Sequence, residues 1–383
     1  GVEVLVEDKE IREVSDRPIQ SEAATRVPLG GRVLMPGLID AHVHVVAAMA
    51  NLAANALQPS SLAAFRAAAV MRGMLMRGFT TVRDLAGADR GLADAQAMGL
   101  FDGPRLIVCG KALSQTGGHS DGRARSDNRA PPERRVGTMG RLVDGVDAVR
   151  RAAREELREG ADFIKVMANG GVASPTDPIH MLQFSRDELK AAVEEAENSG
   201  TYVSAHLYTD EAIRRAVECG VRSLEHCNLI RPETARLAVE RGCYAVPTLI
   251  TYEILATEGA KWGLGPDSVA KIETVRRGGL ESLAIMREAG LEMAYGSDLL
   301  GEMHGYQSGE FELRSRVLPG IEVLRSATTV AAKVCGLEGR AGIIEPGADA
   351  DLIVVDGNPL EDWSLLEGQG NRIAAIMQAG RFV

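Results

Sequence analysis

Val33-Leu34-Met35-Pro36-Gly37-Leu38-Ile39-Asp40-Ala41-His42-Val43-His44 is an apolar run, broken by Pro-Gly near its start, that ends in two histidines one residue apart. Side chains on a strand repeat their direction every second residue, so His42 and His44 share a face and Asp40 shares it with them. Two imidazoles converging from one strand make half of a metal site, because neutral imidazole binds Zn²⁺ at roughly 2.0–2.1 Å. The pair alone could equally be two ordinary histidines at a strand end. The surrounding chain decides.

Upstream, residues 1–34 alternate apolar and polar positions in short runs separated by Asp8-Lys9 and Pro28-Leu29-Gly30-Gly31, which predicts strands and no helix. The far end reads alike, with a turn at residues 343–347 and strands at 351–355 and 373–377. Both ends together predict one small β-sandwich, residues 1–34 and 341–383, flanking a body at 35–340.

Inside that body strand and helix patterns alternate, the signature of a parallel α/β fold. Helices are expected over residues 61–77, 143–159, 210–219 and from 266 to Gly290, several ending at a glycine, and Ser185-Arg186-Asp187-Glu188 reads as a capping box. Strands are expected at 80–84, 105–109, 162–167, 202–206, 223–226, 244–249 and 291–298, with Pro247 placed near a strand end or a bulge. Counted from the histidine pair these are eight, a (β/α)₈ TIM barrel. A Gly-, Pro- and Arg-rich stretch over 116–140 would lie at the barrel mouth, where it could serve as a lid.

A length of 383 residues accommodates such a barrel with a small appendage. The formal charge of -10 argues against nucleic acid or an anionic membrane as partner, and no apolar run approaches the roughly 20 residues of a membrane span. Five scattered cysteines without a CxxC read as buried small hydrophobes in a reducing compartment, hence a cytoplasmic protein. The chain starts at Gly1 inside an apparent strand, so a preceding piece is expected, and that piece could carry a signal peptide.

Polar residues recur at the ends of the predicted strands: His42 and His44 on the first, Lys165 on the fourth, His206 on the fifth, His226 on the sixth, Asp298 on the eighth. Any one of the histidines could be structural, and Asp298 could be a capping residue. Lys165, within Phe-Ile-Lys-Val-Met, is harder to place so, because a lysine facing a barrel interior leaves a costly charge. Carbamylation of its amine by CO₂ would make it an anionic oxygen donor able to bridge two cations.

These motifs, PGLIDAHVH (36–44), FIKVMANGG (163–171), SAHLYT (204–209), LEHCNLI (224–230) and AYGSDLLG (294–301), resemble the amidohydrolase superfamily over essentially the whole chain. EPGADADLIVVDGNPL (345–360) resembles its C-terminal strand return. GGHSD (117–121), ASPTDPI (173–179) and TLITYE (248–253) are similar to the imidazolonepropionase-like group of prolidases and Xaa-Arg/Lys carboxypeptidases, with ochratoxin-degrading amidases nearby. Asn169, Leu207 and Cys227 depart from that group's pattern without removing a ligand.

The resemblance implies two divalent ions, taken as Zn²⁺. His42, His44 and Asp298 would hold the more buried one, His206 and His226 the other, and carbamylated Lys165 would bridge them. It implies Asp298 as base and then acid, Tyr208 as hydrogen-bond donor to the oxyanion, and His119 as partner of the substrate's free α-carboxylate. Asp40 is expected to be structural, His180 and His304 to be rim residues, and Arg123, Arg125 and Arg129 to lend diffuse attraction for a carboxylate.

The activity so implied is release of a C-terminal amino acid from a small-molecule substrate, a dipeptide or N-acyl amino acid, with proline the first expectation. The alternatives are an ochratoxin-type N-acyl-phenylalanine amidase, opening of a cyclic amide, and ring deamination, against which the bridging lysine speaks. A scaffold without catalysis is disfavoured because every ligand is present. The resembling proteins form homo-oligomers.

Overall fold

Strands buried on both faces need helices to cover them, and parallel neighbours need a crossover, so alternating apolar strands and one-sided helices pack as layers around one core. The computed structural model describes residues 1–131, 135–172, 177–262 and 266–383 and shows this α/β arrangement. Three parallel strands, Leu38–Val43, Phe79–Asp84 and Arg105–Val108, form one sheet. In a second, the parallel strands run in the order Tyr244–Val246, Ser223–Leu229, Val203–Thr209, Ile164–Met167, Ala112–Ser114 and Gly140–Leu142.

Backbone hydrogen bonds link the two sheets on both sides. Asp162 N donates to Val108 O at 2.7 Å on one. On the other, residues 293–298 lie between Tyr244–Val246 and Leu38–Val43, with Ala294 N donating to Ala245 O at 2.9 Å and Ala41 N to Tyr295 O at 2.8 Å.

Several helices fall where the apolar spacing puts them. Val146–Arg158 buries Val149, Ala152, Ala153 and Glu156, a stripe at helical spacing. Arg186–Asn198 starts at the expected capping box: Ser185 Oγ accepts from Glu188 N at 3.2 Å, and Glu188 Oε2 accepts from Ser185 N at 2.7 Å. Asp210–Glu218 stops before Gly220, whose φ of +97° is open to glycine and costly for other residues.

Two expected strands are corrected. The run expected over 244–249 stops at Val246, because Pro247 has no N–H for the ladder, and Leu249–Glu258 is already a helix. The strand expected at 291–298 is irregular and makes one bridge, Met293 to Ala245. Its donors are diverted, Tyr295 N to Ser326 O and both Ser297 N and Asp298 N to His42 O.

The loop expected over 116–140 is flanked by the unanticipated strands Ala112–Ser114 and Gly140–Leu142, and residues 132–134 of it lie outside the described residues. Helices at Arg90–Ala97, Gly309–Ser315, Gly320–Ser326 and Thr329–Val334 were not anticipated either.

The two chain ends share a sheet. Val33–Pro36 pairs antiparallel with Leu352–Val355, which pairs with Ile373–Gln378. The hairpin of Glu3–Glu7 and Glu10–Ser15 shares an apolar cluster with them, Ile11 packing near Ala348, Ala350 and Leu352. All five cysteines are buried and free. No helix among the described residues is long and apolar enough to cross a membrane.

Candidate active site

Alternation on Leu38–Val43 carries His42 and His44 out on one face, and the irregular eighth segment meets them there. Asp298 Oδ1 lies 3.3 Å from His42 Nε2 and 2.9 Å from His44 Nε2. Asp298 takes a φ of +51°, a region uncommon for non-glycine residues that tends to persist where a site over-determines it. Asp40 holds the turn: its carboxylate accepts from His42 N, Ser297 N, Ser297 Oγ and Gln307 Nε2. It is structural, as the sequence reading has it.

Val203–Thr209 and Ser223–Leu229 bring the second pair. His206 Nδ1 and His226 Nε2 are 2.9 Å apart. The register between these strands slips after Leu207, and His226 and Cys227 have φ of +71° and +57°, a bulge that re-aims His226. The rings of His226 and His42 are 4.9 Å apart, and His226 Nδ1 lies 4.0 Å from Asp298 Oδ2, so both pairs form one cluster.

Burial pushes the imidazoles of His206 and His226 well below the ordinary histidine range, which keeps them neutral with lone pairs available. Burial works against ionisation of Asp298 too, but His42 and His44 hold its carboxyl well below the usual range.

Lys165 is 1% exposed, and its Nζ has no hydrogen-bond partner among the described residues. Burial pulls its amine down to about 8, against the opposing pull of Glu225. Nitrogen and oxygen ligands at roughly 2.0–2.1 Å from one cation stand about 2.9 to 3.4 Å from each other in octahedral to tetrahedral sets. The 3.3, 2.9 and 2.9 Å separations have that size. The chemistry of these donors suits divalent transition ions, and His42, His44 and Asp298 form a group able to hold one.

Around these lie residues the sequence reading passed over. Glu225 Oε2 is 2.8 Å from His42 Nδ1, which orients Nε2 toward Asp298. Its other oxygen accepts from Arg83 Nη2 at 2.8 Å and from Ser204 and Ser223. Burial would raise the Glu225 pKa; Arg83 and His42 hold it well below the carboxylate range. Arg83 and Glu225 are both fully buried, and the argument that singled out Lys165, a charge inside an apolar strand, applies equally to them.

Asn169 Oδ1 accepts from Tyr208 N and Thr209 N, which pins the strand end that carries Tyr208. Tyr208 is buried with its ring 4.8 Å from His206, and its hydroxyl accepts from Tyr252 at 3.1 Å. Tyr252 and Thr248 both approach His226 Nδ1.

His119 stacks on His206 at 4.2 Å, and Asp177 Oδ2 lies 3.1 Å from its Nδ1. Of the ASPTDPI motif, residues 173–176 lie outside the described residues. His180 is exposed. His304, expected at the rim, is instead buried against Ala47 O at 3.1 Å, because the short helix Gly301–Tyr306 folds inward. Arg123 and Arg129 are paired with Asp121 and Asp127, and Arg125 is exposed.

Comparison with known proteins places the chain in a family. The sequence model of the amidohydrolase family matches residues 33–383. Ochratoxinase from Aspergillus niger is 35% identical over 363 residues, covering 91% of this chain and 74% of its own length. A crystal structure of an amidohydrolase superposes with a TM-score of 0.98 at 55% identity, covering 100% of this chain and 94% of the other. That of a prolidase complexed with N-methylphosphonate-L-proline superposes with a TM-score of 0.97 at 52% identity, covering 99% and 94%.

Proposed function

This chain belongs to the amidohydrolase family and is a hydrolase, and from that premise we propose that it is a binuclear metal enzyme releasing the C-terminal residue of dipeptides or N-acyl-L-amino acids, Xaa-Pro first. The observation that carries the reading is the convergence of His42, His44 and Asp298 on one point beside the neutral His206–His226 pair. The unpartnered Nζ of Lys165 supports a carbamate there, since a buried amine pulled to about 8 is part neutral near pH 7 and can add CO₂. The similarity to a prolidase supports the choice of substrate.

In this reading His42, His44 and Asp298 would hold one ion and His206 and His226 the second, with carbamylated Lys165 as a further ligand; zinc fits the donors. When bound, the pair would polarise the scissile carbonyl and lower the pKa of a shared water. Asp298 would take a proton from the attacking water as its oxygen bonds to the carbonyl carbon, and return it to the amine nitrogen as the C–N bond breaks. Tyr208 donates its hydroxyl proton to the carbonyl oxygen as negative charge develops. His119, fixed against His206 and Asp177, pairs with the substrate's free carboxylate.

The scaffold of the proposal is a closed (β/α)₈ barrel over 35–340 with a β-sandwich from 1–34 and 341–383. The hydrogen bonds that join the two parallel sheets on both sides support closure. A second reading, favoured by the 35% identity to ochratoxinase, is hydrolysis of an ochratoxin-type N-acyl-phenylalanine.

The test is a panel of Xaa-Pro and Xaa-Arg dipeptides and N-acyl-Phe, set against imidazolones and aminopyrimidines, on zinc-loaded protein. Release of a C-terminal amino acid is expected. Turnover confined to the ring substrates would refute the proposal.

A further inference from the structure

Tyr252 has no part in the reaction just described, yet its hydroxyl stands at the junction of the second histidine pair and the oxyanion donor. We propose that Tyr252 is a positioning residue that fixes the direction of the Tyr208 hydroxyl proton, through a one-way chain from His226 to Tyr252 to Tyr208. The inference rests on the reading above for the use made of that last proton.

The chain follows from counting protons. His226 turns Nε2 toward His206 Nδ1 at 2.9 Å, and a ligand nitrogen needs its lone pair free, so the proton of the neutral ring sits on Nδ1. From there it is shared between Thr248 Oγ1 at 2.8 Å and the Tyr252 hydroxyl at 3.0 Å. Tyr252 accepts from His226 and has a single proton to give; of the two oxygens in reach, Tyr208 at 3.1 Å and Thr248 at 3.3 Å, the nearer Tyr208 takes it, since Thr248 can donate its own proton to Tyr252.

Tyr208 therefore accepts from Tyr252 and must aim its own proton elsewhere. No group among the described residues accepts it. His226, Thr248, Tyr252 and Tyr208 are all at most 2% exposed, an environment in which successive hydrogen bonds polarise one another. The result is a donor aimed before the substrate arrives, which is what stabilisation of a developing oxyanion requires.

The sequence places Tyr252 four residues after Thr248, so the first turn of Leu249–Glu258 stacks both hydroxyls over the same His226 nitrogen. A tyrosine there kept only for packing would not need its oxygen within reach of two site residues.

The test is a double-mutant cycle of Tyr252→Phe and Tyr208→Phe on the zinc-loaded full chain. The readouts are affinity for inorganic phosphate, a tetrahedral oxyanion, by calorimetry, zinc content by elemental analysis, and kcat and KM. Tyr252→Phe should weaken phosphate binding and lower kcat by about tenfold, the order one hydrogen bond contributes, with KM and zinc content unchanged. In the Tyr208→Phe background it should change nothing further.

Phosphate affinity equal to wild type, the same weakening in the Tyr208→Phe background, loss of zinc, or no phosphate binding by wild type would each overturn the chain. If the phosphate pattern holds but wild type cleaves no Xaa-Pro, Xaa-Arg or N-acyl-Phe substrate, the chain stands and the proposed function falls.

Discussion

Asp298 illustrates how much one residue's position depends on its neighbours. Its backbone bends into the left-handed region while His42 O and the Asp40 carboxylate hold the segment, so that its carboxylate meets both His42 and His44. A carboxylate so placed is the proton carrier of the proposed reaction, and Asp298→Asn should lower kcat by about a thousandfold, within the range such groups supply. Unchanged kcat in steady-state assays would refute that role.

His304 gives a prediction in pH. Burial drives its imidazole down to about 4, so the folded chain keeps it neutral where the unfolded chain, with a value near 6.5, takes up a proton. Stability is therefore unaffected by this group above about 6.5 and falls by up to about 3 kcal/mol as pH drops toward 4. Urea unfolding at several pH values should show a shallower acid loss in His304→Gln, and parallel curves would contradict it. The histidines, Lys165 and Asp298 were legible because polar residues ending apolar strands stand out. Glu225, Arg83 and Tyr252 were not singled out, because their meaning lies in partners on other strands and helices.

Local signals fixed the elements most firmly where a cap or stop is chemically explicit. The capping box at Ser185 and Glu188 was readable from four residues and does double duty, since Glu188 Oε1 also accepts from Gly145 N at 2.7 Å. Ser185→Ala should cost about 1 kcal/mol in denaturant-derived stability with turnover unchanged. No loss would mean the exposed turn is held by Glu188 alone. Where the outcome depended on tertiary pairing, the reading erred. Residues 112–114 and 140–142 become strands only because each finds a parallel neighbour, and 291–298 is irregular because its donors are taken by Ser326 and His42. Proline at 247 marked its strand end, but the helix that starts two residues later was not read, and its N-cap Thr248 makes no side-chain cap bond.

Across the whole molecule, two sheets bring residues separated by more than 250 positions into one cluster, His42 against Asp298. The chain ends share a sheet through Val33–Pro36 and Leu352–Val355, a pairing foreshadowed by alternation in both tails but placed only by the fold. Which substrate is taken is not carried by sequence periodicity. The central claim is that two ions share this cluster with a carbamylated lysine between them. Its most direct test is metal stoichiometry, by elemental analysis, of protein produced with Zn²⁺ and bicarbonate, beside Lys165→Ala. The account predicts about two ions per chain in the wild type, from the ligand set a zinc pair requires, and a clear loss in the variant. A metal-free wild type, or a variant that keeps the full complement, would contradict it.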